Sequence, residues 1–268
     1  HDGSRAYWPS SPSIGWGHKE SLQQGDSHYW GVWWGMEPFE NYEKKVGRFV
    51  SEYGFQGMPS LSAFKKMGVN YNFIKNENLI LNQNWLPALD TSIINAHQKH
   101  PTGYKTINTY MERDYNVPKK FDDYIYVSQL LQAKGMKTAI EAHRRAKPYC
   151  MGTLYWQLND CWPVTSWSSV DYNNNWKASH YQVKRSYEDV IISIDEKETY
   201  SEIYVVSKKM EKLGGELDLE LFDFNGKMLC SKSVFIDVDS NSSKMVYRLH
   251  SDSLEIIDKS TVFLKCKF

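Results

Sequence analysis

The chain has 268 residues, and 32 Lys and Arg balance 32 Asp and Glu, so its formal net charge at pH 7 is zero. This balance excludes the strong attraction to nucleic acid or to an anionic membrane surface that basic proteins have. No run of about 18 apolar residues occurs, so the sequence predicts no membrane span. The four cysteines form no CxxC pair, which argues against a zinc motif or a dense disulfide framework and leaves the redox compartment open.

Short apolar runs that end in polar residues alternate with helix-length segments up to about Asp189. This alternation is typical of parallel strands joined by helical crossovers. Strands are predicted in four runs, RAYWPSSP, SHYWGVWW, RFVSEYGFQ and CMGTLYWQLND, which begin at Arg5, Ser27, Arg48 and Cys150. The first part of the chain is therefore predicted to be α/β.

Two helices are predicted from apolar residues at helical spacing. The first begins after Pro118, carries Phe121, Tyr124 and Leu131 on one face, and ends before Pro148. The second has large residues spaced four, three and four apart: Trp176, His180, Val183 and Tyr187. Each helix is expected to follow a strand.

After Asp189 the pattern becomes all β. Leu217, Leu219 and Leu221 alternate with acidic residues in GELDLELFDF, which predicts a strand with one buried face. The pair Asn225-Gly226 predicts a type I′ hairpin turn. The runs VFIDVD, KMVYRLH and TVFLKCKF predict further strands, at the spacing of a small antiparallel sandwich.

Glu52 follows the apolar pair Phe49-Val50, so it stands at the carboxyl end of a predicted strand. Parallel αβ barrels carry their working groups at such ends. A carboxylate among aromatic rings and amides suits glycosidic bond cleavage, because the transition state carries positive charge at the anomeric carbon. The alternative is a glutamate paired with a basic residue such as Arg48, and the pattern alone leaves both interpretations open.

Two other strand ends also carry polar groups. Asp26 and His28 are two residues apart, and hence on one face of an extended chain, while Gln157, Asn159 and Asp160 follow the fourth run. These residue types also bind metals, but no signature fixes their spacing, so no metal is predicted. Asp160 is as readily a turn or helix-capping residue.

Two further features have structural interpretations of their own. Trp156 ends an apolar strand, and an indole there is compatible with a plug in the barrel core as well as with a wall of a ligand site. The cluster His143-Arg144-Arg145 is interpreted as a solvated basic end of the first helix.

The runs FVSEYGFQGMPS and GTLYWQLNDCWPVTSWSSVDY, together with RAYWPSSP, GDSHYWGVW and EAHRRAKPYCMGTLYWQ, resemble the later barrel strands of β-mannosidases in glycoside hydrolase family two. The resemblance extends to about Tyr187. It implies that residues 1–189 are the C-terminal part of a TIM-barrel catalytic domain, about strands five to eight of a (β/α)8 barrel. Residues 190–268 are then an immunoglobulin-like β-sandwich domain, and the chain is expected to be truncated at both ends.

The resemblance also implies an activity. It is that of a retaining exo-β-mannosidase, which hydrolyses terminal non-reducing β-D-mannose residues of oligosaccharides without a metal or an organic cofactor. Glu52 matches the nucleophile of the family, and Trp156 resembles the indole that closes the sugar subsite. Further residues match positions near the substrate pocket: Tyr29, Trp30, Gln157, Asn159 and Asp160.

The acid/base glutamate of the family follows an asparagine on an earlier strand, which implies that it is missing from this chain. The pair Asn76-Glu77 comes after Glu52 and is interpreted as a loop. A half barrel exposes strand edges, so this segment is predicted to be poorly stable alone unless it self-associates or pairs with the missing N-terminal half.

Two alternative functions stay open. One is another family-two enzyme acting on β-galactosides, β-glucuronides or β-glucosaminides, and the other is an inactive fragment that acts as a carbohydrate-binding module. The parent enzyme is expected to be periplasmic, secreted or lysosomal.

Overall fold

A computed structural model of the protein describes residues 2–69, 91–250 and 259–268. The chain divides into two compact units. Unit 1 comprises His1–Ile140 and Gly152–Ser186, and unit 2 comprises Glu141–Met151 and Tyr187–Phe268. The boundary after residue 189 stays a prediction. Within the described residues, no helix combines the length and apolarity needed to cross a membrane.

Unit 1 contains two short strands and a series of helices. The strands are β1 (Ser27–His28) and β2 (Val50–Glu52). The helices, numbered over the described residues, are α1 (Asn41–Lys44), α2 (Leu61–Lys66), α3 (Thr91–Ala96), α4 (Gly103–Asp114), α5 (Phe121–Arg145) and α6 (Ala178–Ser186). The last turns of α5 belong to unit 2.

Three of the four predicted strand runs lie side by side. β1 pairs with β2 in parallel, with His28 opposite Glu52, and Val50 forms a parallel bridge to Thr153 on its other side. The prediction of a strand in the first run, from Arg5, is wrong, because this segment is exposed and has no strand structure. Its two prolines, Pro9 and Pro12, lack the N–H groups that a ladder requires.

Aromatic residues fill the core of unit 1. The ring of Phe55 lies 5.0 Å from that of Phe39 and 4.8 Å from that of Tyr110, which is on α4. Edge-to-face contacts at these distances are favourable beyond the area they bury. The ring of Trp33 lies 5.1 Å from that of Phe55 and adds a third contact. Residues that precede β2 in the chain and residues that follow it therefore pack in one aromatic core.

Both predicted helices are confirmed, with different ends. α5 begins at Phe121 and buries Tyr124 and Leu131. α6 covers Ala178–Ser186 only, so two of the residues in the predicted pattern, Trp176 and Tyr187, lie outside it. The cluster at the end of α5 is not solvated as predicted, because His143 and Arg144 are buried.

That end of α5 forms part of unit 2. Arg145 Nη1 donates to Ser193 Oγ at 2.8 Å, and Ser193 Oγ donates to Glu141 Oε2 at 2.8 Å. Burial, with a further contribution from Arg145, lowers the pKa of His143 to about 3. The imidazole is therefore neutral at physiological pH, and the cluster carries less charge than its sequence suggests.

Unit 2 is built from two antiparallel sheets. Its strands are β3 (Val190–Glu196), β4 (Tyr200–Ser207), β5 (Leu213–Asp223), β6 (Met228–Val238), β7 (Ser243–His250) and β8 (Val262–Lys267). The strand orders are β3-β4-β7 and β6-β5-β8. Apolar side chains from the two sheets form one core: Ile203, Val205, Leu217, Leu219, Ile236 and Val238.

The predicted alternation in β5 is confirmed, since Leu217, Leu219 and Leu221 are all buried. The hairpin after β5 is confirmed as well, but its predicted type is wrong. Only Gly226 has a positive φ, of 85°, whereas a type I′ turn requires a positive φ at Asn225 too. The Asp223 carboxylate accepts from the N–H groups of Asn225 and Lys227, at 2.9 and 2.8 Å, and holds a different turn.

Candidate active site

The ends of the parallel strands bring the candidate residues to one place in unit 1. Tyr29 N donates to Glu52 O at 2.8 Å, and Trp156 N donates to Tyr53 O at 2.7 Å. Glu52 therefore lies between the segment that follows β1 and the segment that carries Trp156. These two backbone hydrogen bonds bring together the strand ends that carry polar groups in the sequence.

Two side chains from the β1 segment contact the carboxylate of Glu52. Trp30 Nε1 donates to Glu52 Oε1 at 2.9 Å, and His28 Nδ1 lies 3.5 Å from the same oxygen. The Glu52 side chain keeps 26% of its exposure. Both contacts reach Oε1, and no hydrogen bond from the described residues reaches the other oxygen, Oε2.

Asp26 forms the other end of this network. Ser11 Oγ donates to Asp26 Oδ2 at 2.5 Å, and Ser51 Oγ donates to the same oxygen. His28 Nε2 lies 3.8 Å from Asp26 Oδ2 and 3.2 Å from Ser11 Oγ. Burial alone would raise the pKa of Asp26, but the hydroxyl donors and His28 outweigh it, and the pKa of Asp26 is lowered. Asp26 is therefore held as an anion.

Tyr29 lies in the core and not in an open site. It is 4% exposed, and its hydroxyl donates to the carboxylate of Glu37. Burial and the charge of Glu37 raise its pKa. Because strand neighbours point to opposite faces, Tyr29 turns inward while His28 and Trp30 turn toward Glu52.

Asp160 is also enclosed. It accepts hydrogen bonds from Ser166 Oγ at 2.6 Å and Ser168 Oγ at 2.5 Å, and burial raises its pKa. Lys177 stabilises it electrostatically and is 1% exposed, with its Nζ donating to Gly57 O at 2.9 Å. These contacts give Asp160 a role in holding the loop after the Trp156 segment together.

The remaining candidates stay accessible. Trp156 is 45% exposed at the strand end, and Asn159 is exposed. Gln157 Nε2 donates to Asn159 O at 2.9 Å, which braces this turn. Their predicted roles in sugar binding are compatible with these positions and stay predictions.

An aromatic wall adjoins the carboxylate. Trp30 contacts Trp167 edge-on at 5.9 Å, and Trp167 in turn contacts Trp33 at 5.5 Å. Trp34 packs on His100 at 4.3 Å and stays 53% exposed. Trp167 was not among the sequence candidates, although it stands within the run GTLYWQLNDCWPVTSWSSVDY that carried the family resemblance. A carboxylate beside partly open indole faces is an arrangement that can bind a sugar ring.

Comparisons with known proteins bear on this arrangement. The family profile of the Mannosidase Ig/CBM-like domain matches residues 200–268. Beta-mannosidase B of Thermothelomyces thermophilus is 33% identical over 204 residues, which are 71% of this chain and 22% of that protein. The chain therefore spans less than a quarter of the length of this relative.

Solved structures agree with the sequence comparison. The crystal structure of beta-D-mannosidase from Dictyoglomus thermophilum matches with a TM-score of 0.84 and 33% identity, covering 98% of this chain and 30% of that one. The exo-chitosanase of Amycolatopsis orientalis matches at a TM-score of 0.60 and 16% identity, over 80% of this chain and 25% of that one, so it supports the fold alone.

These matches confirm the predicted architecture, part of a glycosidase barrel followed by an immunoglobulin-like sandwich. The residues matched by the family profile lie within unit 2, which contains the two antiparallel sheets, whereas the parallel strands lie in unit 1. By sequence and by fold, these matches support a fragment of a β-mannosidase-like glycosidase of glycoside hydrolase family two.

Proposed function

We propose that this chain supplies the nucleophile and part of the sugar site of a retaining exo-β-mannosidase that releases terminal non-reducing β-D-mannose. The observation that carries the proposal is the state of Glu52. Its carboxylate stands at a strand end, Trp30 donates to Oε1, and no described residue donates a hydrogen bond to Oε2. The names of the relatives at 33% identity support mannose as the sugar.

In this mechanism Glu52 Oε2 attacks the anomeric carbon of the bound mannoside. A bond forms between that oxygen and the carbon while the glycosidic C–O bond breaks, and a second carboxylic acid protonates the leaving oxygen. The family resemblance assigns that acid to a glutamate on an earlier strand. Water then cleaves the glycosyl-enzyme bond, the same residue takes a proton from the water, and the anomeric configuration is retained.

The surroundings of Glu52 suit the charge that develops during this reaction. The transition state has oxocarbenium character, so a nearby anion stabilises it. The indole of Trp30 fixes one oxygen, which removes rotational freedom from the nucleophile before the sugar arrives. The exposed face of Trp156 is the proposed platform for the C–H face of the sugar.

Covalent trapping tests the proposal. The longest natural polypeptide that carries this chain is incubated with an activated 2-deoxy-2-fluoro-β-mannoside, digested, and analysed by mass spectrometry. The good leaving group lets the first step proceed with little acid assistance, while the fluorine slows hydrolysis of the adduct. We expect one adduct on the peptide that contains Glu52 and none in the Glu52→Gln variant. An adduct on another carboxylate would refute Glu52 as the nucleophile.

The second candidate is a family-two enzyme with a different sugar preference. The sequence leaves β-galactosides, β-glucuronides and β-glucosaminides open as alternative substrates. A panel of chromogenic β-mannoside, β-galactoside, β-glucuronide and β-glucosaminide separates the candidates by kcat/KM. Fastest turnover of the mannoside is expected, and a non-catalytic carbohydrate-binding module predicts no turnover of any of them.

A further inference from the structure

We propose that Gln132, on α5, is a positioning residue of the active site, and that its buried amide holds the chain after Glu52 against the segment that carries Trp167. This inference rests on the proposed function, because the strand end and the indole that it joins belong to the proposed sugar site. The three residues are far apart in sequence, and all of them lie in unit 1.

The amide of Gln132 uses both of its ends in hydrogen bonds inside the protein. The residue is 1% exposed. Its Nε2 donates to three backbone carbonyl oxygens: those of Phe55 at 2.9 Å, Trp167 at 3.1 Å and Ser168 at 3.1 Å. Its Oε1 accepts from Ser179 Oγ at 3.0 Å. Since a carbonyl oxygen only accepts, these partners fix which end of the amide faces them.

The three carbonyl groups come from two separate segments. Phe55 stands three residues after Glu52. Trp167 and Ser168 belong to the loop that follows the Trp156 segment. One side-chain NH2 group therefore ties the chain that carries the nucleophile to the loop that carries the aromatic wall. Phe55 and Ser168 are fully buried, so loss of this donor would leave their carbonyl groups without compensation from water.

Gly57 shows how closely the two segments approach this amide. It pairs with Ser166 in an isolated antiparallel bridge, in which Gly57 N donates to Ser166 O at 3.2 Å. A Cβ atom on Gly57 would clash with Gln132 Oε1. Because a packed interior leaves few voids, the position of Gln132 and the spacing of the two segments are coupled.

The hydrogen bonds of Gln132 reach the nucleophile by two routes. Along the chain, the carbonyl of Phe55 belongs to the segment that continues from Glu52. Through space, the ring of Trp167 packs edge-on against that of Trp30 at 5.9 Å, and Trp30 Nε1 donates to Glu52 Oε1 at 2.9 Å. A change in the spacing of the two segments therefore moves the indole donor relative to the carboxylate oxygen. A misplacement of about 1 Å can cost about 100-fold in rate.

Gln129 provides a matched comparison on the same helix. Its Nε2 donates to Met58 O at 3.1 Å, and its Oε1 accepts from Ala178 N at 3.2 Å. It thus braces the chain after β2 as Gln132 does, but neither of these hydrogen bonds reaches the loop of Trp167. The two glutamines share residue type, helix and backbone partners after β2, and they differ in the segments that they join.

The experiment compares Gln132→Met and Gln129→Met in the longest natural polypeptide that carries this chain. Methionine keeps the length of the side chain and removes the amide. The rate of labelling by the fluoromannoside is measured at saturating reagent, and the final amount of adduct gives the fraction of active molecules, so the rate refers to folded protein only. We expect Gln132→Met to lower this rate about 10-fold, through misplacement of the indole donor. Gln129→Met should label at the wild-type rate.

A double-mutant cycle with Trp30→Phe separates positioning from a merely structural role. If Gln132 acts through the contact of Trp30 with Glu52, then Gln132→Met should cost much less in rate once residue 30 is already phenylalanine. A merely structural role would give the same factor in both backgrounds.

Ser179→Ala supplies a milder change in case Gln132→Met does not fold. It removes the donor to Gln132 Oε1, and the labelling rate should fall about 2- to 10-fold, as expected from loss of one neutral hydrogen bond. Wild-type labelling by Gln132→Met, or by Ser179→Ala if the methionine variant does not fold, would overturn the positioning role and leave Glu52 as the nucleophile. Equal factors in the double-mutant cycle would overturn it as well. Absence of an adduct in the wild type would refute the proposed function instead.

Discussion

The indole of Trp30 donates to Glu52 Oε1 at 2.9 Å across two neighbouring parallel strands. The two residues are 22 positions apart in the chain, and the contact exists because the register pairs His28 with Glu52. This hydrogen bond holds Glu52 Oε1, so Oε2 is the oxygen proposed to attack the sugar.

Replacement of Trp30 by phenylalanine tests this contact. Trp30→Phe preserves an aromatic ring next to Trp167 but removes the N–H donor. A hydrogen bond to a charged group contributes about 1.5–3 kcal/mol, so the rate of covalent labelling should fall about 10-fold or more. Trp176→Phe, which alters an exposed indole packed on His180 and Tyr181, is the control and should label normally. Equal rates in both variants would show that the indole N–H contributes nothing.

Gly54 permits the approach of the Trp156 backbone. A Cβ atom on Gly54 would clash with the carbonyl oxygen of Trp156 and would press on the ring of Trp167. Gly54→Ala should therefore displace the Trp156 segment and lower both the midpoint of urea unfolding and the rate of labelling. Gly3→Ala is the matched change, because no atom lies within 4 Å of its added Cβ. A Gly54→Ala protein as stable and reactive as Gly3→Ala would contradict the close approach.

Lys177 should impose a pH dependence on stability. Burial lowers its pKa in the folded protein from 10.5 to about 8. Between these two values the unfolded chain binds the proton and the folded chain does not, so the free energy of unfolding rises with pH. The rise is at most about 1.4 kcal/mol per pH unit.

The measurement is urea unfolding of the wild type and of Lys177→Met at several pH values from 8 to 10.5. The methionine variant lacks the titrating group, so the wild type should gain stability relative to it across this range. If the free energies of unfolding of the two proteins change with pH in parallel, Lys177 has an ordinary pKa in the folded protein.

Leu219 should be a strong determinant of stability in the sandwich. It is buried in the core shared by the two sheets of unit 2. Leu219→Ala removes packed methyl groups and leaves a cavity, which typically costs about 2–5 kcal/mol. Phe235→Ala, on the adjacent strand β6, removes a larger ring that is 79% exposed and should cost less than about 1 kcal/mol. A larger loss for Phe235 would mean that its outer face is covered in the natural protein.

The sequence predicted those features that depend on near neighbours in the chain. The alternation of Leu217, Leu219 and Leu221 places one face of β5 inward whatever the rest of the fold does, because strand side chains alternate with a period of two. The helical spacing of Phe121, Tyr124 and Leu131 likewise fixes α5 locally. The strand-end position of Glu52 follows from the same local reasoning.

The tertiary structure decided which side chains surround these positions. Tyr29 and Trp30 are adjacent in sequence, yet one is buried against Glu37 and the other contacts Glu52. The negative charge of Asp160 is stabilised by Lys177. The carboxylate of Asp26 is stabilised by the hydroxyl of Ser11 and by His28. Periodicity gives the direction of a side chain but not its distant partner. Hydrogen bonds and charges act over a few ångströms of space, and only the packing of strands and loops brings these groups together.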